Sequence, residues 1–425
     1  MRAVGETFHL RTDPLDSLLL PMAAYDPHAV ALHFPILRFH RDLLYLDSAA
    51  TTLRLGSALE KMRKFYGESA NVHRGVHQLS AAATEAYEGA RVTLGKYIKA
   101  SSPEEVIFVR GATEAINLAA YGWSRAFLRR GDRIMVTVME HHSNFLPWKR
   151  AAEEFGAAFD VCGILENGEL DMDDFRRKLG DRTRMVAVAH VSNTLGTVNP
   201  VGEICKLAHD AGAVVLVDGA KQSDVGPMDV ESLGCDFYAF SGHKMFAGTG
   251  IGVLWGKRHL LEAMAPFQLG GGMVERVGEN DFTCCRPPLK FEAGTPNISA
   301  AMGLGSAVEF LMDFPWAEQF KYFLKIRDYF ENAIGDFPGF RILGKPRHKI
   351  GVFSLVSNEF HPHDLATALA MGNVCVRAGT HCAQPLCRAL SVPASLRVSF
   401  SIYNSMEDAE RFIEELRRVV KFLRR

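Results

Sequence analysis

Between residue 43 and about residue 300, short apolar runs alternate with helical stretches, and this alternation constrains the fold more than any other feature of the chain. The runs fall at 105–109, 134–139, 185–190, 213–217, 236–240 and 251–255. Apolar runs of this length, spaced by helices, read as strands of a mixed α/β sheet covered by helices on both faces. Sheets of that kind take their ligands beyond the carboxyl ends of the strands.

Three of those ends carry residues suited to chemistry. Asp218 closes Ala213-Val-Val-Leu-Val-Asp218, which reads as a buried parallel strand. A carboxylate there can pair with the ring nitrogen of a pyridine cofactor and keep it protonated, so that the ring takes up electrons. Alone, such an aspartate serves equally well as a loop cap or a metal ligand. His141 and His142 end the run from Ile134. An imidazole at a strand end can stack on a planar cofactor. Adjacent strand residues point to opposite sides, which disfavours joint metal ligation. Lys244 follows Phe237-Tyr-Ala-Phe-Ser-Gly-His. A lysine just past a buried strand can turn its amine toward a pocket, as a Schiff-base lysine must. By position alone the ordinary surface lysine is the commoner case, and the other two strand ends shift the balance.

A phosphate site completes the set. The 105–109 strand runs into Arg110-Gly-Ala-Thr113-Glu-Ala-Ile-Asn, which reads as a helix start. Free N–H groups and the helix dipole suit an anion there, and Thr113 adds a hydroxyl. Glycine and threonine at a helix start are also simple caps. Strand-tip Asp218 and Lys244, stacking His141 and this helix start together describe pyridoxal 5'-phosphate. No Walker loop and no G-x-G-x-x-G after a strand offers a competing nucleotide site.

The 425 residues are enough for two domains, and a net charge of −1 implies no bulk attraction to nucleic acid or anionic membrane. Eight cysteines without a C-x-x-C spacing make neither a disulfide framework nor a zinc site, and they fit a reducing, cytoplasmic setting. No apolar run reaches transmembrane length, and Pro21 interrupts the short apolar stretch near the N-terminus, so no signal peptide is expected.

Residues 1–42, with prolines at 14, 21, 27 and 35, read as an irregular extension expected to pack with a small C-terminal domain. Residues 43–300 read as the large cofactor-binding domain and 301–425 as the small one, carrying the cysteine loop. Gly270, Gly271 and Gly272 mark a mobile or close-packed loop. A long helix is expected from Met302 toward Ala333, and a strand at 351–356. The chain closes with an amphipathic helix capped by Ser405, its apolar face running from Met406 to Leu423.

A second centre lies at Arg377-Ala-Gly-Thr-His381-Cys382-Ala-Gln-Pro. The short polar residues suggest an exposed loop, and His381 and Arg377 supply cationic surroundings of the kind that activate a thiol. Burial as a structural residue is the commoner fate of a free cysteine, and that reading suits Cys375 and Cys387, which lie in more apolar stretches. Arg397, on a predicted strand, can grip a carboxylate with two parallel hydrogen bonds or simply form a local ion pair.

The chain resembles the SUF-type (group II) cysteine desulfurases, within the class V aminotransferase family of fold-type I pyridoxal-phosphate enzymes. The matching runs include Tyr45-Leu-Asp-Ser-Ala-Ala-Thr-Thr, Asn71-Val-His-Arg-Gly-Val-His, Glu140-His-His-Ser-Asn, His190-Val-Ser-Asn-Thr-Leu-Gly, Val217-Asp-Gly-Ala, Phe240-Ser-Gly-His-Lys, Phe291-Glu-Ala-Gly-Thr-Pro-Asn and Arg377-Ala-Gly-Thr-His-Cys-Ala-Gln-Pro-Leu. The resemblance implies a mostly parallel seven-stranded sheet and a smaller α+β domain. Lys244 would carry the cofactor, His141 stack on its ring and Asp218 pair with its nitrogen. Thr113, Ser241 and His243 would hold the phosphate, with Thr295 reaching in from a second subunit of a homodimer. Asn193, Arg377 and Arg397 would hold the substrate, His73 and Arg74 would sit near the partner's site, and Cys382 would accept the sulfur. No metal is implied.

Five positions depart from the family pattern. Lys221 stands where a glutamine usually donates to the cofactor's phenolic oxygen, and it brings a positive charge. Ala112 replaces a common threonine, Ala247 and Gly248 replace a Gly-Pro, and Thr380 stands where many relatives have histidine. The implied reaction converts L-cysteine to L-alanine, with sulfur left on Cys382 as persulfide for an acceptor protein. The alternatives are a selenocysteine lyase acting on L-selenocysteine, and a pyridoxal scaffold whose chemistry Lys221 has impaired.

Overall fold

The computed structural model describes residues 25–68 and 70–425, so the first 24 residues of the expected extension lie outside it. Seven strands form the main sheet, in the spatial order Val106–Val109, Gly252–Gly256, Phe237–Ser241, Val214–Asp218, Thr183–Ala189, Arg133–Thr137, Ala158–Cys162. Gly252–Gly256 runs antiparallel to both of its neighbours, and the remaining pairs are parallel. The six apolar runs are all strands. The Ala158–Cys162 strand went unread because it is an edge strand with only Cys162 buried. An edge needs no continuous apolar run, and its central Asp160 instead pairs with Arg133 of the neighbouring strand at 2.6 Å.

Register aligns the tips. Asp218 lies opposite Ala189 on one side and Ala239 on the other, so the Lys244 turn begins just beyond the row that holds Asp218. Gly219 is required here: a Cβ on it would stand 2.0 Å from the Tyr238 ring. A Cβ on Gly252 would stand 2.5 Å from the Gly111 Cα, so the phosphate-side helix start also rests directly on the sheet.

A second, four-stranded antiparallel sheet has the order Phe340–Ile342, Val352–Ser357, Ser395–Ser399, Arg377–Gly379. Its apolar face packs with Trp316–Gly335 and the closing helix Met406–Leu423 around Phe330, Phe353 and Phe412. Ser405 and Asp408 cap that closing helix reciprocally, as the sequence implied. The single helix expected from Met302 to Ala333 is two helices, Ile298–Met312 and Trp316–Gly335, broken at Asp313-Phe314-Pro315. Proline disfavours a helical conformation in the residue before it, which ends the first helix. That first helix packs on Gly56–Gly67 and Gln78–Ile98.

The described part of the extension forms two short helices, Pro27–Ala31 and Pro35–Phe39. The Tyr25 hydroxyl donates to the Ile402 carbonyl, and Leu44–Tyr45 pairs in parallel with Val374–Cys375. After the glycine cluster comes an unforeseen hairpin, Val274–Val277 with Phe282–Cys284.

Candidate active site

One cavity of about 470 Å³ opens beyond the carboxyl ends of the main sheet, and the four-stranded sheet forms its far wall. Lys244, Asp218, Lys221, Ser241 and His243 line it from the central strand ends, Thr113 from the first turn of the helix Ala112–Phe127, and His141 and Asn193 from flanking loops. Arg377, His381, Cys382 and Arg397 come from the smaller sheet and its loop. Two chemical centres separated by more than a hundred residues therefore share one space.

Lys244 ends the short turn Gly242–Lys244 that caps its strand. Burial pushes its amine down to about 8, with Arg397 and Lys221 adding to the effect and Asp218 opposing it. Asp218 is buried, and desolvation raises its carboxyl above the usual range although the Ala220 N–H donates to it at 2.9 Å. A buried carboxyl in this state fits a cationic or proton-bearing ring nitrogen. His141 caps the helix His142–Phe155, where its Nδ1 accepts the Ser143 N–H at 3.1 Å. Burial, then Lys244, lowers its pKa to about 4, so the ring is neutral and planar against the cavity. The Thr113 hydroxyl meets the Ser143 hydroxyl at 2.7 Å, and the Ala112 N–H donates to Ser241 Oγ at 2.8 Å. His243 Nδ1 lies 3.1 Å from Thr51 Oγ1. Lysine, carboxyl, imidazole and helix start thus fit a phosphorylated pyridine aldehyde.

On the opposite wall Arg377 and Arg397 are direct cross-strand partners. Like charges so placed repel, and Asp47 bridges them, 2.9 Å from Arg377 Nη2 and 3.3 Å from Arg397 Nη2. Buried Arg397 also donates from Nη1 to the Asn193 carbonyl, while its buried Nε has no partner among the described residues. A carboxylate-binding guanidinium with a spare donor is therefore present. The sequence reading missed Asp47. It lies in the quoted Tyr45-Leu-Asp run, but its partners are some 330 to 350 positions away.

The Cys382 loop is exposed at its thiol and held tightly behind it. His381 and Cys382 both adopt left-handed backbone, at φ 53° and 56°. The His142 N–H donates to the Cys382 carbonyl at 2.8 Å, and Asn193 Nδ2 donates to the His381 carbonyl at 2.8 Å. One expectation needs correction here. His381 is no cation beside the thiol: it is buried, its Nε2 lies 2.9 Å from Ser395 Oγ, and burial lowers its pKa to about 3. The positive charge near Cys382 comes from Arg397 and Arg377.

Three expected residues do not reach this chain's own cavity. Thr295 is exposed in a separate hollow beside Arg110 and Glu114. His73 has left-handed backbone and binds Glu88 at 2.8 Å, and Arg74 is exposed. A second unread residue is Glu140. It is fully buried behind His141 and accepts from Thr137 Oγ1, Asn144 Nδ2 and the Ala189 N–H. Burial raises its pKa to about 8 despite those donors.

The class-V aminotransferase pattern matches residues 44–412. The chain belongs to the aminotransferase class-V family. It is 43% identical over 399 residues to a probable cysteine desulfurase of Halalkalibacterium halodurans, covering 93% of this chain and 98% of the relative. Among solved structures it resembles the cysteine desulfurase CsdA of Escherichia coli, with a TM-score of 0.88 at 36% identity, covering 94% of this chain and 99% of that one. The cysteine desulfurase of Thermococcus onnurineus superposes with a TM-score of 0.89 at 35% identity, covering 94% and 100%. The family match spans both walls of the cavity, from before Asp47 to beyond Arg397.

Proposed function

We propose that this cavity is where a class-V enzyme takes sulfur from L-cysteine, leaves L-alanine and stores the sulfur on Cys382. The chain is a pyridoxal-phosphate-dependent cysteine desulfurase. The observation that carries the site reading is the meeting of half-buried Lys244 and exposed Cys382 in one cavity. Transamination needs the first and has no use for the second.

Bound pyridoxal phosphate supplies an electron sink for bond changes at the substrate's α-carbon. Lys244 would anchor it, and Asp218 would keep a proton at its ring nitrogen. Neutral His141 would cover the ring face, and the Gly111–Thr113 helix start with Ser241 and His243 would hold the phosphate. Arg397 would exchange part of its contact with Asp47 for the substrate carboxylate, with Arg377 and Asn193 beside it. The Lys244 amine, with its lowered pKa, would take the α-proton. The Cys382 thiolate would then attack the substrate sulfur: an S–S bond forms, the C–S bond breaks with its electron pair going to the β-carbon, that carbon takes up a proton, and Lys244 returns the α-proton so that L-alanine leaves. Cys382 is left as a persulfide.

We further read the chain as SUF-type and homodimeric. Thr295, His73 and Arg74 would serve the partner's cavity, which agrees with their exposure outside their own. An acceptor protein would remove the sulfur, in the cytoplasm. No helix of the described residues is long and apolar enough to cross a membrane. We place the domain division near residue 300, supported by the two separate sheets, although the helix Ile298–Met312 still packs in the large domain's apolar cluster and the small domain's cluster takes up only from Phe323. Incubation with L-cysteine, with and without reductant, tests the activity. Alanine should form in both, with stoichiometric sulfide only with reductant; no alanine would overturn the reading.

A further inference from the structure

Lys221, which replaces the family's glutamine, reads from sequence as an added positive charge. The structure gives that charge a partner. Its Nζ lies 2.7 Å from both carboxylate oxygens of Asp224, at the far end of the short turn Gln222–Asp224. The side chains are 2% and 1% exposed. Lys221 lines the cavity, and a Cβ on Gly351, just before the Val352–Ser357 strand, would stand 3.6 Å from Nζ. An ammonium has three protons. Two can go to the Asp224 oxygens, which leaves one without a hydrogen-bond partner among the described residues.

Stability alone does not account for the pair. A buried ion pair commonly gains nothing over apolar residues of similar volume. Its electrostatic reach is informative. Lys221 lowers and Asp224 raises the pKa of Lys244, so the two act on that amine in opposite directions. The other charged groups facing Lys244 are Asp218 from the neighbouring strand and Arg397 from the smaller sheet. His141 and His243 also feel Lys244, and both are neutral near pH 7. Arg397, itself held by Asp47, acts on Lys221 as well.

We propose that Lys221 and Asp224 form a charge-neutral positioning pair: Asp224 fixes the Lys221 ammonium at the cavity wall as a donor to the cofactor's ring oxygen, while cancelling its field at Lys244. The proposal rests on Lys244 as the Schiff-base residue. It explains how a lysine can replace a neutral donor here without impairing the site.

The holoenzyme tests it through the pH midpoint of the bound cofactor's absorbance and through affinity for pyridoxal phosphate. Lys221→Gln/Asp224→Asn removes both charges together and should leave the midpoint within about 0.3 unit of the wild type. A midpoint moved by about one unit or more would mean that the pair has a net field at Lys244 and overturns the proposal. Two doubles without a buried charge test the donor. Lys221→Met/Asp224→Asn should bind the cofactor about 3- to 10-fold more weakly than Lys221→Gln/Asp224→Asn, the loss expected for one hydrogen bond. Equal affinities refute the donor role. Lys244→Ala separates the two readings, because a normal Schiff-base band in that variant removes the premise itself.

Discussion

The lowered pKa of Lys244 makes a quantitative prediction about how the apoenzyme captures its cofactor. Only the neutral amine attacks an aldehyde. With a pKa of about 8, roughly a tenth of Lys244 is neutral at pH 7. An ordinary lysine near 10.4 has about 4 in 10,000 neutral at that pH, so burial raises the reactive fraction roughly 200-fold. The sign follows from desolvation, which penalises the ammonium more than Asp218 rescues it. Mixing apoenzyme with pyridoxal phosphate at fixed concentration should give a Schiff-base absorbance whose rate of appearance climbs about tenfold per pH unit up to about pH 8, then levels. Asp218→Asn removes the charge that opposes the shift and should move the bend to lower pH. A rate that keeps climbing to pH 10 would refute the argument. So would a bend that stays in place in the Asp218 variant.

Cys382→Ser should still bind cofactor and still change its spectrum with L-cysteine, yet release no sulfide from it; mass spectrometry should find no persulfide at that position. Near-normal sulfide release would point to another thiol, with Cys375 and Cys387 examined first. Arg397→Gln should lower kcat/KM for L-cysteine about 10- to 150-fold through loss of a charged hydrogen bond to the substrate, with cofactor affinity little changed. Arg91→Met should cost about 3–5 kcal/mol in chemical denaturation, because it strands the buried Glu292 carboxylate that Arg91 binds at 2.7 Å. A loss below about 1 kcal/mol would mean that Glu292 is satisfied by Tyr87 and the Phe108 N–H alone.

What the sequence determined by itself was local. A buried strand needs a continuous apolar run, and the residue that ends the run must sit at the strand tip. Asp218, His141 and Lys244 were therefore legible as neighbours before any coordinates, and so was the Thr113 helix start. The Ser405 cap was legible for the same reason: its partner Asp408 is three residues away. The Ala158–Cys162 strand was not, because an edge strand makes no demand for burial on both faces.

Only the tertiary structure decided how the two walls meet. No local pattern announces that Asp47 will bridge Arg377 and Arg397, or that His142 and Asn193 will hold the Cys382 loop. Those bonds depend on the second sheet being laid across the strand ends of the first. The same packing turned His381 from an expected cation into a buried neutral latch. It also buried Lys221 beside Asp224, where the cost of desolvation makes each charge depend on the other. Side-chain types are written in the sequence, but their ionisation states follow from burial, and burial is a property of the assembled fold.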